Sequence, residues 1–226
     1  TFERDYVPIL VGDSYGGNLW LYRDITEAKQ AEQALRESEA AIRSLYTITA
    51  NQGMNFADKV QALLKMGCER FGMSMGILAH IEEERYEVVE VYAAEGSVTK
   101  GEVFALGETY CNQVLQANGP LSVEHAGASP WASQLCYSLF KLEAYMGTPV
   151  MVANQIYGVL NFSNAQPRPS PFKATDREFL NLMAQWSAAR SSVRRKPNNY
   201  KRMPPRLSKL IKRWQWCAIR RWKLRA

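Results

Sequence analysis

The apolar positions of the chain follow two different periods, and the change between them marks the elements. Tyr6, Val7, Ile9, Leu10 and Val11 form one apolar run, and Leu19, Trp20, Leu21 and Tyr22 form another. The turn residues Gly12-Asp13-Ser14-Tyr15-Gly16-Gly17 lie between them, so residues 1–26 are predicted to form a β-hairpin. A lone two-stranded hairpin is marginal in water, so these strands are expected to belong to a larger sheet. Residues 25–52 read as one helix, with Asp24 or Thr26 as its cap. Read in heptads, Ala28, Leu35, Ile42 and Thr49 share one seam position, and Ala31, Ser38 and Leu45 share the other. That seam is small and partly polar. A solvated connector and a parallel dimer helix both fit it.

Further on, Val60, Leu63, Leu64 and Phe71 recur at helical spacing between a capping Asn55 and a terminating Gly72, which predicts a helix over 56–71. Strand-like runs follow at 75–81 and 86–93, then a short helix at 109–117, a short strand at 120–123, and an irregular or helical stretch at 131–142. Two strands, 145–152 and 156–162, are joined around Asn154-Gln155 as a hairpin. A closing helix starts at Thr175, where Thr175 and Glu178 make a capping box, and presents Phe179, Leu182, Met183 and Trp186 as one stripe. This order predicts an α+β fold, an antiparallel sheet with helices packed on it.

Charge divides the chain. Thirteen of the 28 Lys and Arg residues lie from Arg194 onward, and no acidic residue lies beyond Glu178. Residues 1–193 therefore hold 15 basic and 22 acidic groups, a net charge of −7 ahead of a strongly basic tail. The charged start, Thr1-Phe2-Glu3-Arg4-Asp5, is unlike a signal peptide and reads as a fragment boundary. The longest uncharged run, 144–167, is interrupted by Gly147, Pro149, Asn154 and Gly158, so it reads as paired strands rather than a membrane span. Cys68, Cys111, Cys136 and Cys217 show no close pairing, which favours a reducing, cytoplasmic location.

Two stretches resemble known families. Trp20-Leu21-Tyr22-Arg23-Asp24-Ile25-Thr26, running into the charged segment 27–32, resembles the last strand of PAS domains and the helix that follows it. Gly107-Glu108-Thr109-Tyr110-Cys111, Ala144 to Val150, Tyr157 to Ser163, and Pro171-Phe172 with Asp176, Glu178, Phe179 and Leu180 resemble GAF domains of multi-domain sensor histidine kinases. The resemblance implies a six-stranded antiparallel sheet, a pocket for a small molecule or chromophore, and frequent homodimerisation. The organisation it implies is a PAS remnant over 1–26, a signalling helix over 27–50, a GAF domain over 40–193 and a basic tail over 194–226. GAF domains hold haem, bilin, cyclic nucleotides or nothing. Pocket candidates on this basis are Cys111, Trp131, Tyr137 and Tyr145. Signal-coupling candidates are Asp24, Ile25 and Thr26, with Leu35, Ile42 and Leu45 in the helix seam.

Other constellations carry less chemistry. Gly72-Met73-Ser74-Met75-Gly76 has the spacing of a hydrolase nucleophile elbow but the reverse context, helix before strand, so a helix cap is expected there. Cys136 is followed by Tyr137 rather than by the His common at bilin-attaching cysteines, which argues against bilin. Cys111 fits haem ligation, redox sensing or simple packing, and has no charged neighbour in sequence to activate it. His80 and His125 lack partners at zinc-like spacing, so no metal site is expected. No phosphate-cradling loop appears. Asn161-Phe162-Ser163 matches a glycosylation sequon, without expected consequence in a cytosolic strand. The expectation is therefore a sensory input module of a two-component phosphorelay without a catalytic core. A structural, dimerising GAF domain without ligand is the alternative.

The tail invites its own explanations. Leu207, Leu210, Ile211, Trp214, Cys217 and Ala218 share one face of a hypothetical helix, with Lys209, Lys212, Arg213 and Arg220 largely elsewhere. Binding to an anionic membrane surface, binding to nucleic acid with Trp stacking on bases, and a frame change that replaced a kinase-linking helix all account for it.

Overall fold

The structure is a computed structural model that describes residues 1–94 and 97–191; the basic tail of 194–226 and the helical face read there lie outside the described residues. The chain divides into two compact units, Thr1–Ser44 and Leu45 onward.

In the first unit, strands β1 (Phe2–Val11) and β2 (Ser14–Asp24) pair antiparallel from Phe2↔Asp24 to Val11↔Ser14, with a register shift at Ile9/Leu10. The sequence turn is wider than the real one: β2 already begins at Ser14, and Gly17, at φ 143°, sits beside the register shift. Phe2, Val7, Ile9, Leu10, Leu19, Leu21 and Tyr22 are all exposed. Tyr6 packs edge-on against Trp20, whose other partner is the Arg4 guanidinium 4.5 Å from the ring centre. Helix α1 (Thr26–Ala50) follows, about 37 Å long at the usual rise per residue. Asp24 caps it: its Oδ1 accepts from the Thr26 amide at 2.9 Å and from the Thr26 hydroxyl at 2.6 Å. These bonds hold the Asp24 carboxyl below its usual range. Ile25 is half-buried, whereas Leu35, Ile42 and Tyr46 are exposed along the helix.

The second unit is built on a six-stranded antiparallel sheet of order β5-β4-β3-β8-β7-β6. Its strands are β3 (Met75–Glu82), β4 (Arg85–Tyr92), β5 (Val103–Ala105), β6 (Leu121–Val123), β7 (Ala144–Val152) and β8 (Gln155–Asn164). Strand β5 has no counterpart in the sequence reading, because three residues show no period. The β7–β8 turn is carried by Ala153 and Asn154, both with positive φ, one residue earlier than Asn154-Gln155. Helix α2 (Phe56–Phe71) is capped by the Asn55 side chain, which accepts from the Asp58 amide at 3.0 Å. It ends on Gly72 in the left-handed conformation, so the Gly-x-Ser-x-Gly stretch is indeed a helix end entering a strand.

Helices α2 and α5 (Ala174–Ser191) pack on the sheet. The start of α5 differs from the sequence reading: the Asp176 carboxylate reaches back to the Lys173 amide at 3.1 Å, so Thr175 lies inside the first turn. Its buried stripe is Phe179, Leu180, Met183, Ala184 and Ala188, and Leu182 turns outward. Phe162 of β8 is the keystone under these helices. Its ring meets Phe71 edge-on at 5.1 Å and occupies the space above Gly67 and Gly76, where a Cβ would come within 2.3 and 2.7 Å of it. Thr148 donates to Asn181 at 2.7 Å, and Arg70 both pairs with Asp176 at 3.7 Å and lies over Phe179.

The opposite face is covered by α3 (Cys111–Ala117), by 3-10 turns at Ala126–Ala128 and Pro130–Ser133, and by α4 (Leu135–Phe140). The α+β class and the six-stranded antiparallel sheet stand as the sequence led us to expect.

Candidate functional site

Alternation along β8 decides what each face receives. Leu160 and Phe162 point to α2 and α5, while Val159, Asn161 and Ser163 point to the other side. There Asn161 lies opposite Ile77 and Gly147, and Ser163 lies opposite Met75 and Tyr145. This face does not close. A cavity of about 60 Å³ remains between the sheet and its cover. Its floor is formed by Met75, Ile77, Asn161 and Ser163. Tyr86, Phe104, Phe140 and Tyr110 wall it with rings, and Thr109, Cys111 and Tyr145 complete one side. Phe104 sits edge-on between Tyr86 and Phe140, at 6.0 and 5.9 Å.

The polar atoms form a connected set. The Asn161 amide nitrogen donates to the Tyr86 hydroxyl and to Cys111 Sγ, each at 3.4 Å, and Cys111 Sγ lies 3.3 Å from the Tyr145 hydroxyl. Gly147 makes this possible, since a Cβ there would stand 2.6 Å from the Tyr145 hydroxyl. Thr109 donates to the Leu106 carbonyl at 2.8 Å, and Tyr110 donates to that of Leu142 at 2.8 Å. Ser163 is different: its hydroxyl is buried and has no hydrogen-bond partner among the described residues. A buried hydroxyl without a partner costs on the order of 1–3 kcal/mol, so this atom is out of keeping with a finished core.

Burial fixes the protonation of the set. It pushes the Cys111 thiol up to about 12 and holds Tyr86 and Tyr145 well above the usual phenol range. All three are neutral at physiological pH. A thiol kept protonated is a poor nucleophile and a poor metal ligand, which disfavours redox chemistry at Cys111.

The sequence-derived pocket candidates separate here. Cys111 and Tyr145 line the cavity. Trp131 does not: it is half-buried behind the wall, 5.5 and 5.8 Å from the ring centres of Tyr110 and Tyr145. Tyr137 also lies elsewhere. Its hydroxyl donates to Glu143 at 2.7 Å, and the same carboxylate accepts from the Gly127 amide at 2.9 Å, which pins the 126–128 turn. Cys136 is buried in the same core but does not line the cavity. The sequence reading missed Tyr86, Thr109, Asn161 and Ser163. The one available signal was the period-two placing of Asn161 and Ser163 on a buried strand, which the sequon match obscured. The coupling candidates Asp24, Ile25, Thr26, Leu35 and Ile42 lie in the first unit, and Leu45 begins the second.

The large cofactors fit poorly. Among the described residues no Asp, Glu, Lys, Arg or His lines the cavity, so nothing there would neutralise haem propionates or a cyclic nucleotide phosphate. Among the described residues no histidine lines the cavity to serve as an axial ligand, and Cys136 does not line it either. The volume is also small against the roughly 300–1,000 Å³ of ordinary ligand sites. Among the described residues, no group of three or more His, Cys, Asp and Glu is arranged to hold a metal, and no helix is long and apolar enough to cross a membrane.

Comparison with known proteins places this geometry. A search of the curated proteins finds no match. Among solved structures, the GAF domain of an Acinetobacter phosphoenolpyruvate-protein phosphotransferase is similar over 72% of this chain and 98% of its own, with 16% identity and a TM-score of 0.59. Free methionine-R-sulfoxide reductase from Neisseria meningitidis, solved with its substrate, is similar over 69% of this chain and 90% of its own, at 16% identity and a TM-score of 0.53. The chromophore-binding domain of a Stigmatella aurantiaca bacteriophytochrome covers 84% of this chain and is itself covered over 69%, at 12% identity and a TM-score of 0.54. At these identities the likeness establishes the fold alone. The GAF domain family model matches residues 55–190, more than half of the sequence, and the chain therefore belongs to the GAF domain family.

Proposed function

We propose that the chain is the sensory input portion of a two-component signalling protein, in which a small molecule occupies the cavity beside β8. The observation that carries this reading is the cavity itself, an aromatic-walled space with a buried and unpartnered Ser163 hydroxyl inside a domain of a sensing and signalling family. Binding there would favour one packing of α3 and β7 over another. Helices α1 and α5 would carry that population shift to an output domain.

Three further features support the wider context. The exposed apolar strands β1 and β2 suit the end of a PAS domain whose remaining strands would cover them. Asp24 and Thr26 set the start of α1 through their mutual hydrogen bonds, as a strand-to-helix signalling joint requires. Leu35, Ile42 and Tyr46 form an exposed apolar stripe suited to a parallel homodimer. In this reading the chain is cytoplasmic and serves as an input module rather than an enzyme, and its Cys111 thiol, held protonated by burial, packs and hydrogen-bonds rather than reacts.

The test is a comparison of the full chain by native and denaturing mass spectrometry as purified, followed by a thermal-shift screen of small metabolites. A non-covalent mass lost on denaturation, or a metabolite that raises Tm in the wild type but not in the cavity-filling Ser163→Leu, supports sensing. No bound mass and no metabolite-dependent rise would leave a structural, dimerising domain instead.

A further inference from the structure

The chemistry of the cavity narrows what it can hold, and this inference rests on the sensory reading above. Every described side chain that lines it is uncharged. A carboxylate, phosphate or ammonium placed there would lose its water without gaining a counter-charge, at a cost of several kcal/mol by the usual desolvation estimates. A neutral molecule meets no such penalty.

Two of the polar groups lie on β8. Asn161 spends its amide nitrogen on Tyr86 and Cys111, whereas the Ser163 hydroxyl spends nothing. One hydrogen-bonding position is therefore left unused, on the same strand face and two residues from a second polar group. The remainder is the Thr109 hydroxyl and the Cys111 thiol, the Tyr and Phe rings, and aliphatic and thioether groups. An aromatic enclosure also suits a quaternary ammonium ion. Such an ion offers no hydrogen bond to Ser163, and Phe104 is set edge-to-face with both Tyr86 and Phe140, at interplanar angles of 64° and 77°. Size sets the last bound. An engineered cavity of about 150 Å³ admits benzene, and this one is about 60 Å³.

We propose that the cavity takes a small uncharged organic molecule, an amide or alcohol of a few heavy atoms, with its polar end hydrogen-bonded to Ser163 and its apolar body against Tyr86, Phe104 and Phe140. Cyclic nucleotides, haem and bilin are thereby outside its ligand class.

The experiment uses the full chain with ¹³C-methyl methionine, reading the Met75 methyl resonance, which lines the cavity and is assigned through Met75→Leu. Three probes of nearly equal shape and different charge are titrated: propionamide, propionate and propylammonium. Propionamide is expected to shift the Met75 resonance saturably in the millimolar range, and the two ions are expected to leave it in place. Ser163→Ala should weaken propionamide about three- to tenfold, the loss of one hydrogen bond. An equal response to either ion, an undiminished affinity in Ser163→Ala, or no shift with propionamide overturns the proposal. If propionamide fails while the purified chain carries another bound molecule, the ligand class alone is wrong. If no molecule binds in either experiment, the sensory reading falls with it.

Discussion

The two faces of the six-stranded sheet were built from the same strands and finished differently. Under α2 and α5, Phe162 fills the space left by two glycines and meets Phe71 edge-on. Under α3 and α4, the neighbouring side chains of the same strand are Asn161 and Ser163, and a cavity remains. A closely packed, interdigitated face supplies stability through burial and dispersion. A face that retains a buried hydroxyl without a partner gives up part of that stability, and such concessions concentrate at functional positions. Within one strand, then, alternate residues serve the fold and the site.

The sharpest way to break this contrast is to empty the closely packed face. Phe162→Ala should cost about 3–5 kcal/mol, read as a fall in the midpoint of chemical denaturation with little change of slope. A loss below about 1 kcal/mol would mean that this face is no better packed than the other. Overfilling it is the next test. Gly67→Ala places a methyl against the Phe162 ring and should cost about 1–3 kcal/mol, more than the helix-propensity gain of about 1 kcal/mol. Combining it with Phe162→Leu should recover part of that loss, and strict additivity would show that the two positions are not in contact.

Alkaline pH distinguishes the faces by their titrating groups. The Cys111 thiol has an ordinary value of 9.0 and a folded value of about 12. The unfolded chain therefore loses this proton first as pH rises, and stability falls above about pH 9. For this group alone the loss is about 1.4 kcal/mol by pH 10. Tyr86 and Tyr145 add to it at higher pH on the cavity face only. On the helix face burial raises the Cys68 thiol likewise, to about 12, so its loss is of comparable size. Denaturation at pH 8 and pH 10 should thus show Cys68→Ala and Cys111→Ala each removing a clear part of the decline, and the double variant leaving the smaller part that the cavity-face tyrosines supply.

Much of the fold was legible because it is periodic. Helix α2 was readable from Asn55, the Val60–Leu63–Leu64–Phe71 spacing and Gly72, and the structure has each in its expected role. The errors fell where local chemistry has near-equivalents one residue away. Asn154 attracted the β7–β8 turn from Ala153, and Thr175 with Glu178 imitated a cap that Asp176 supplies. The site was less legible, for a physical reason. Its residues come from β3, β4, β5, β7, β8, α4 and the entry to α3, and no spacing in sequence joins Tyr86 to Asn161 or Met75 to Ser163. Cys111 and Tyr145 were found through family resemblance. Trp131 and Tyr137 were named beside them as pocket candidates, but one supports the wall from behind and the other holds Glu143.

The central claim is that Ser163 keeps its hydroxyl for a partner the folded chain does not provide. Thermal unfolding of the full chain carrying Ser163→Ala, beside the wild type and without added ligand, tests it most directly. The account predicts a gain of about 1 kcal/mol, a Tm higher by roughly 2–4 °C, because an unpaired buried hydroxyl has been removed. A fall in Tm of that size would show that the hydroxyl is already bonded within the protein, and would contradict the account.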